Sequence, residues 1–277
     1  MEIHTATVIY YSPTGTTHKV IQSVLKGMNI AAKQQINLTR PQARIEVPSR
    51  LVGDIVLIGI PVYGKGIPRI LIPYFTALKG EGKPVVLLTV YGNLDEGTAL
   101  PDLYRLVKKS DCIVVGAASF IGEHTLSTDE IAIAKGRPNA QDRLKAEQFG
   151  QLILKKAQNA SDWHEIAVEL EPPHFMSLIF NPLKKLGARN ESTKRFTRTP
   201  FANMQVCNQC GICARMCPMG AIDPHTFRID ERRCFHCFSC VKRCPQNARK
   251  IVYKPKFLVT AFLKTMNTVE HAPKIYV

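Results

Sequence analysis

Four apolar runs of strand length recur through the first half of the chain, and helical patterns separate them. Ala6–Tyr11, Asp54–Ile60, Lys83–Val90 and Cys112–Ala118 are almost continuously apolar, as strands buried on both faces are. A weaker candidate, Gln35–Leu38, completes a set of five. Val20, Ile21, Val24, Leu25 and Met28 recur at helical spacing, so a helix is expected to start near Thr16. Further helical patterns lie near Ile70–Leu78, Ala99–Val107 and Asp142–Ala157. Strands alternating with helices predict an α/β fold, a doubly wound five-stranded parallel sheet over residues 1–158. Such sheets bind ligands beyond the carboxyl ends of their strands, near the topological switch point.

The pattern changes after residue 200, where cysteines take over. Cys207-x2-Cys210-x2-Cys213-x3-Cys217-Pro218 is repeated 27 residues later as Cys234-x2-Cys237-x2-Cys240-x3-Cys244-Pro245. Short gaps let three thiolates wrap three corners of one 4Fe-4S cube, and the fourth cysteine of each run ligates the other cluster. The expected sets are therefore Cys207, Cys210, Cys213 and Cys244, and Cys234, Cys237, Cys240 and Cys217. A pair of structural zinc sites is the alternative, since Cys-x2-Cys is also a zinc spacing. Zinc, however, has no use for a tandem Cys-x3-Cys-Pro ending. Residues 201–253 resemble the dicluster bacterial-type ferredoxins, which implies a small α+β domain with short strands at Ala221-Ile222 and Ala248–Ile251. Phe235 and Phe238 are expected to screen one cluster from water or to fill a small core. The ninth cysteine, Cys112, reads as a core thiol.

The first strand ends in a hydroxyl-rich turn, Ser12-Pro13-Thr14-Gly15-Thr16-Thr17, that leads into a helix. This layout suits a phosphate: backbone N–H groups and the helix N-terminus face the anion, and hydroxyls donate further hydrogen bonds. Neither the ending of a P-loop nor the spaced glycines of a dinucleotide fingerprint is present. A simple helix cap is the alternative. Ser12-x-Thr14-Gly15-x-Thr17 resembles the FMN phosphate loop of flavodoxins, a likeness that covers residues 1–158. It implies that Ser12, Thr14, Gly15, Thr16 and Thr17 hold the FMN phosphate. It also implies that Pro61, Val62, Tyr63 and Gly64, with Thr89, Tyr91, Gly92 and Asn93, flank the flavin ring. The aromatic pair here is Tyr63 and Tyr91, where many flavodoxins have a tryptophan and a tyrosine. His124, in the loop after the last strand, is a candidate proton donor or substrate contact; a solvated loop histidine is the plainer reading.

Residues 159–200 are read as a linker and 254–277 as a tail without a motif. Within the linker, the apolar Phe175–Phe180 and the basic stretch from Lys184 to Arg189 suggest docking on the first domain, or contact with a membrane surface. The formal net charge is +15, of which residues 1–160 hold +6 and the shorter 161–277 hold +9. That balance points to redox partners with acidic surfaces. No signature of a nucleic-acid-binding fold is found, so no nucleic acid is expected. The start of the chain lacks a secretory pattern, no apolar run is long enough to span a bilayer, and the cysteines suit a reducing compartment; a cytoplasmic location is expected. Together the halves resemble flavodoxin–ferredoxin fusion proteins of anaerobes. The resemblance implies electron transfer between FMN, two 4Fe-4S clusters and an external partner. The alternative is a flavin-dependent oxidoreductase acting on a small substrate with electrons fed through its clusters.

Overall fold

A computed structural model describes residues 1–170, 192–266 and 269–277. The apolar runs form the strands β1 (Thr5–Tyr10), β3 (Ile55–Pro61), β4 (Lys83–Tyr91) and β5 (Cys112–Ile121), and β2 is Ala31–Asn37. The strand order is β2-β1-β3-β4-β5, all parallel, which is the flavodoxin-like order with its switch point between β1 and β3. The α/β expectation therefore holds. β2 lies at the sheet edge with alternating half-exposed residues, so its sequence, Ala-Ala-Lys-Gln-Gln-Ile-Asn, carries little apolar signal and begins earlier than the pattern suggests.

Alternation along each strand divides the core. Val8, Leu57, Val86 and Leu88 face α1 (Thr16–Met28) and α4 (Ala140–Gln158). Ile9, Val56, Ile58, Val85 and Leu87 face the side covered by α2 (Ile72–Ala77) and α3 (Ala99–Lys109). Cys112 is buried in this second layer, and desolvation pushes its thiol up to about 12. It is a core thiol, as expected. At α4, Asn139 accepts a hydrogen bond from the Asp142 N–H, and Asp142 accepts one from the Asn139 N–H, closing the helix start.

The later segments fold back on this sheet. Val168 donates to the Val114 carbonyl oxygen (2.7 Å), so the start of the expected linker runs beside β5. Its apolar patch Phe175–Phe180 and the basic stretch from Lys184 to Arg189 lie outside the described residues. Next come α5 (Ser192–Phe196), α6 (Ile212–Arg215), α7 (Ser239–Lys242) and α8 (Lys256–Met266). The tail, which carries no motif, ends in β6 (Lys274–Tyr276), which pairs antiparallel with β5 and adds a sixth strand. In the cysteine-rich region the expected short strands are reduced to isolated bridges, Ile222 with Ile229 and Ala202 with Arg249. Among the described residues no helix is long and apolar enough to cross a membrane.

A third apolar cluster joins the parts. Leu126, Ile131 and Ile133, from the loop after β5, pack with Phe238, Tyr253, Val259 and Leu263. Each such side chain is worth about 1.5–3 kcal/mol when fully buried, against about 0–1 kcal/mol for an exposed ion pair. This shared core, rather than surface charge, is what seats the cysteine-rich segment on the sheet.

Candidate cofactor sites

The turn after β1 is shaped by Gly15, whose φ of 95° lies in the left-handed region, and α1 starts at the next residue. The Ser12 hydroxyl oxygen accepts from the His18 N–H (3.1 Å), and the Ser12 N–H donates to Thr39 Oγ1 (2.8 Å). Ser12 thus ties the turn to the first turn of α1, whose N-cap residue is Gly15. Thr17 Oγ1 is different: it is fully buried and has no hydrogen-bond partner. A buried hydroxyl at a helix N-terminus, with first-turn N–H groups that lack helical partners, fits an anionic group held by this loop.

Next to the loop lies a cavity of about 320 Å³, within the range of small-molecule sites. Of the residues singled out from the sequence, the structure brings Thr14, Thr16, Pro61, Val62, Tyr63, Gly64, Tyr91, Gly92 and His124 together in its wall. Ser12, Gly15 and Thr17 lie in the adjoining turn, outside the wall. Two others are placed differently. The Thr89 hydroxyl pairs with Ser119 Oγ (2.7 Å) inside the sheet. Asn93 uses both ends of its side chain on the tail: Nδ2 donates to the Val269 carbonyl oxygen (2.7 Å), and Oδ1 accepts from the His271 N–H (3.0 Å). No local pattern around Asn93 announces that tail contact.

The two tyrosines have different neighbours. Tyr63 meets Phe235 edge to face, with ring centroids 5.8 Å apart, and Tyr11 on its other side at 6.3 Å. Burial raises its phenol well above the ordinary value, and the nearby Cys237 adds to this. Tyr91 lies 6.3 Å from the His271 ring of the tail, and burial pushes its phenol up to about 12. His124 Nδ1 accepts from the Leu126 N–H (3.1 Å), so the neutral ring carries its proton on Nε2. Burial, then the ammonium of Lys242, lower its pKa to about 4, and the ring stays neutral at neutral pH.

Sequence reasoning missed the rest of the cavity wall. Thr193 and Phe196 come from α5, and Val259, Phe262 and Leu263 from α8. The signal was present, because Val259 and Leu263 are four residues apart and both buried, the mark of one helix face. Lysines around this short pattern hid it.

The eight clustered cysteines fall into two groups. One small cavity is lined by Cys207, Cys210, Cys213 and Cys244, and another by Cys217, Cys234, Cys237 and Cys240. Each group draws three cysteines from one run and the last from the other. Among the described residues no three His, Cys, Asp or Glu side chains converge on a point suited to a single metal ion. The backbone repeats with the sequence. Gln209 and His236, Gly211 and Phe238, and Gly220 and Asn247 are pairs of left-handed residues, each pair 27 positions apart. These reversals curl the loops around the thiols. The Ala221 and Ala248 N–H groups donate to Cys217 and Cys244 Sγ, both at 3.3 Å, which stabilises negative charge on sulfur. Phe238 is buried at the wall of the second set, while Phe235 packs against Tyr63.

Residues 206–248 match the family described as the 4Fe-4S dicluster domain. Among curated proteins, a probable iron-sulfur protein of the Frd operon of Proteus vulgaris is 36% identical over 69 residues, which is 24% of this chain and 42% of that protein. Electron transport protein HydN of Escherichia coli K12 is 41% identical over 54 residues, 18% of this chain and 31% of its own length. The chain thus spans less than half of either relative. Among solved structures, an archaeal flavodoxin aligns with 56% of this chain and 99% of its own, at 15% identity and a TM-score of 0.38. Oxidised Flavodoxin 1 from Bacillus cereus aligns with 55% and 97%, at 15% identity and a TM-score of 0.40.

Proposed function

We propose that this chain, a flavodoxin-like sheet joined to a dicluster 4Fe-4S region, is an electron carrier that holds FMN and two clusters on one path. FMN supplies one- and two-electron chemistry and each cluster passes single electrons, so together they can split or combine reducing equivalents. The observation that carries this reading is the contact between Phe235 and Tyr63. Phe235 follows Cys234 directly, and Tyr63 walls the proposed flavin cavity. The set Cys217, Cys234, Cys237 and Cys240 is therefore the inner one. The set Cys207, Cys210, Cys213 and Cys244 is the outer one, with the exposed Phe201, Met204 and Val206 close to it in sequence.

On this reading Thr14, Gly15, Thr16 and Thr17 hold the FMN phosphate, and Tyr63 and Tyr91 border the ring. α8, through Val259 and Leu263, keeps water from the cavity. His124 holds a proton on Nε2 at the wall. An external protein with an acidic surface exchanges electrons at the outer set, in keeping with the net charge of +15. A flavin-dependent oxidoreductase is the second reading, and the place of His124 in the cavity wall favours it.

Protein purified without oxygen should contain one FMN and about eight irons per chain. Metal and flavin analysis tests this. Two zinc ions in place of iron, or no flavin at any loading, would count against the cofactor assignment.

A further inference from the structure

The phosphate turn does not stand alone. α7 carries Cys240, and this helix and the residue after it hold the turn from outside. Ser239 Oγ donates to the Pro13 carbonyl oxygen at 2.7 Å. Arg243 Nε donates to the same oxygen at 2.6 Å, and its Nη2 to the Ser12 carbonyl oxygen at 3.3 Å. One residue earlier, Lys242 donates to Glu123 Oε1 and to the Ser127 carbonyl oxygen, at 2.5 and 2.7 Å.

Arg243 approaches the turn closely. A Cβ placed on Gly15 would lie 3.5 Å from Arg243 Nη2. The turn itself, Ser12 to Thr17, contains no charged side chain, and the first turn of α1 has no acidic residue to oppose an anion. Burial and the neighbouring Arg243 both lower the pKa of His18, which disfavours its charged form. The Thr17 hydroxyl, in the first turn of the same helix, is buried without a hydrogen-bond partner. A half-buried guanidinium at a turn with these features is well placed to act on a dianion, because partial burial weakens solvent screening.

We propose that Arg243, a residue of the cluster segment, belongs to the flavin-phosphate site and supplies its positive charge. This rests on the reading that the turn holds FMN. The phosphate site is then built from both halves of the chain. Backbone amides and hydroxyls come from residues 12–17, and the cation comes from the residue just before the cluster cysteine Cys244. Seating the cluster segment completes the flavin site.

The test uses the full chain with clusters intact and flavin removed, titrated with FMN and with riboflavin, which lacks the phosphate. Arg243→Gln keeps a donor for the turn carbonyls but removes the charge. Arg243→Lys keeps the charge with fewer donors. The Gln variant should bind FMN about tenfold more weakly and riboflavin within about twofold of the unaltered chain, while the Lys variant recovers most of the FMN affinity. Equal weakening for both flavins would mean that Arg243 only braces the turn, and unchanged binding of both would mean that it does neither; each result overturns the proposal. If the unaltered chain binds neither flavin, or binds both equally well, the phosphate-turn reading itself fails, and this inference with it. The flavin affinities of the unaltered chain therefore separate the two failures.

Discussion

Replacing Cys217 with alanine should cost the protein about half of its iron, and the missing half should belong to the other run. The grouping of thiols sets this expectation. Cys217 stands with Cys234, Cys237 and Cys240, whereas its own run-mates Cys207, Cys210 and Cys213 stand with Cys244. A cube that loses one of four thiolates loses a quarter of its protein ligands and gains an open iron corner, so iron content falls from about eight towards about four per chain. The residual EPR spectrum of reduced Cys217→Ala should then match that of Cys237→Ala and differ from that of Cys213→Ala. If Cys217→Ala reproduced Cys213→Ala instead, each run would hold its own cluster and the crossed assignment would be wrong.

The second large effect is expected at Gly15. Its φ of 95° is a conformation that β-branched side chains rarely adopt, and such strain costs about 1–3 kcal/mol. A valine there strains the turn, while its Cβ would stand in ordinary contact, 3.5 Å, with Arg243 Nη2. Relief of that strain would turn the backbone amides away from an anion. At about 1.4 kcal/mol per factor of ten, strain of that size, if it falls on binding, means that Gly15→Val should weaken FMN by about fivefold to about 140-fold. Fluorescence titration reads this directly, and a far-UV CD melt shows whether the sheet is intact. FMN affinity equal to that of the unaltered chain would remove the phosphate from this turn.

How much of this was legible in the sequence depended on whether the partners of a residue were local. The cysteine spacing was readable because three of the four thiols of each set sit within seven residues of one another. The central strands were readable because burial on both faces leaves a continuous apolar run, as at Ile55–Ile60. β2 was nearly silent, because an edge strand needs only half of its residues to be apolar. The resemblance to flavodoxins points Thr89, near the end of β4, and Asn93, just after it, at the flavin. Their hydrogen-bond partners within the chain, Ser119, Val269 and His271, lie up to 178 residues away, where no local pattern reaches. The same holds for α8. Its buried pair, Val259 and Leu263, makes sense only once Leu126 and Phe238 are known to face it. Arg243 is a further case. In sequence it is one basic residue among many beside a cysteine, and only the fold carries it 231 residues back to Ser12.

The net charge of +15 says nothing of where each cation sits. Beside the shared apolar core, several of the polar contacts between the two halves are hydrogen bonds to backbone carbonyls. Arg44 shows the pattern: its Nη1 donates to the Leu38 carbonyl oxygen and its Nη2 to that of Pro218, at 2.7 and 2.6 Å. Tyr253 does the same with Leu126, at 2.5 Å. Such bonds fix geometry without using up the surface charge that an external partner would meet.

Flavin and clusters are proposed to exchange electrons within one chain. Rapid mixing tests this most directly: the clusters of the anaerobic protein are reduced, and flavin absorbance is followed over a wide range of protein concentration. Residence in one chain, with Phe235 against Tyr63, makes the step unimolecular, so the flavin reduction rate should stay constant as the protein is diluted. A rate that rises in proportion to protein concentration would show transfer between molecules and contradict the relay.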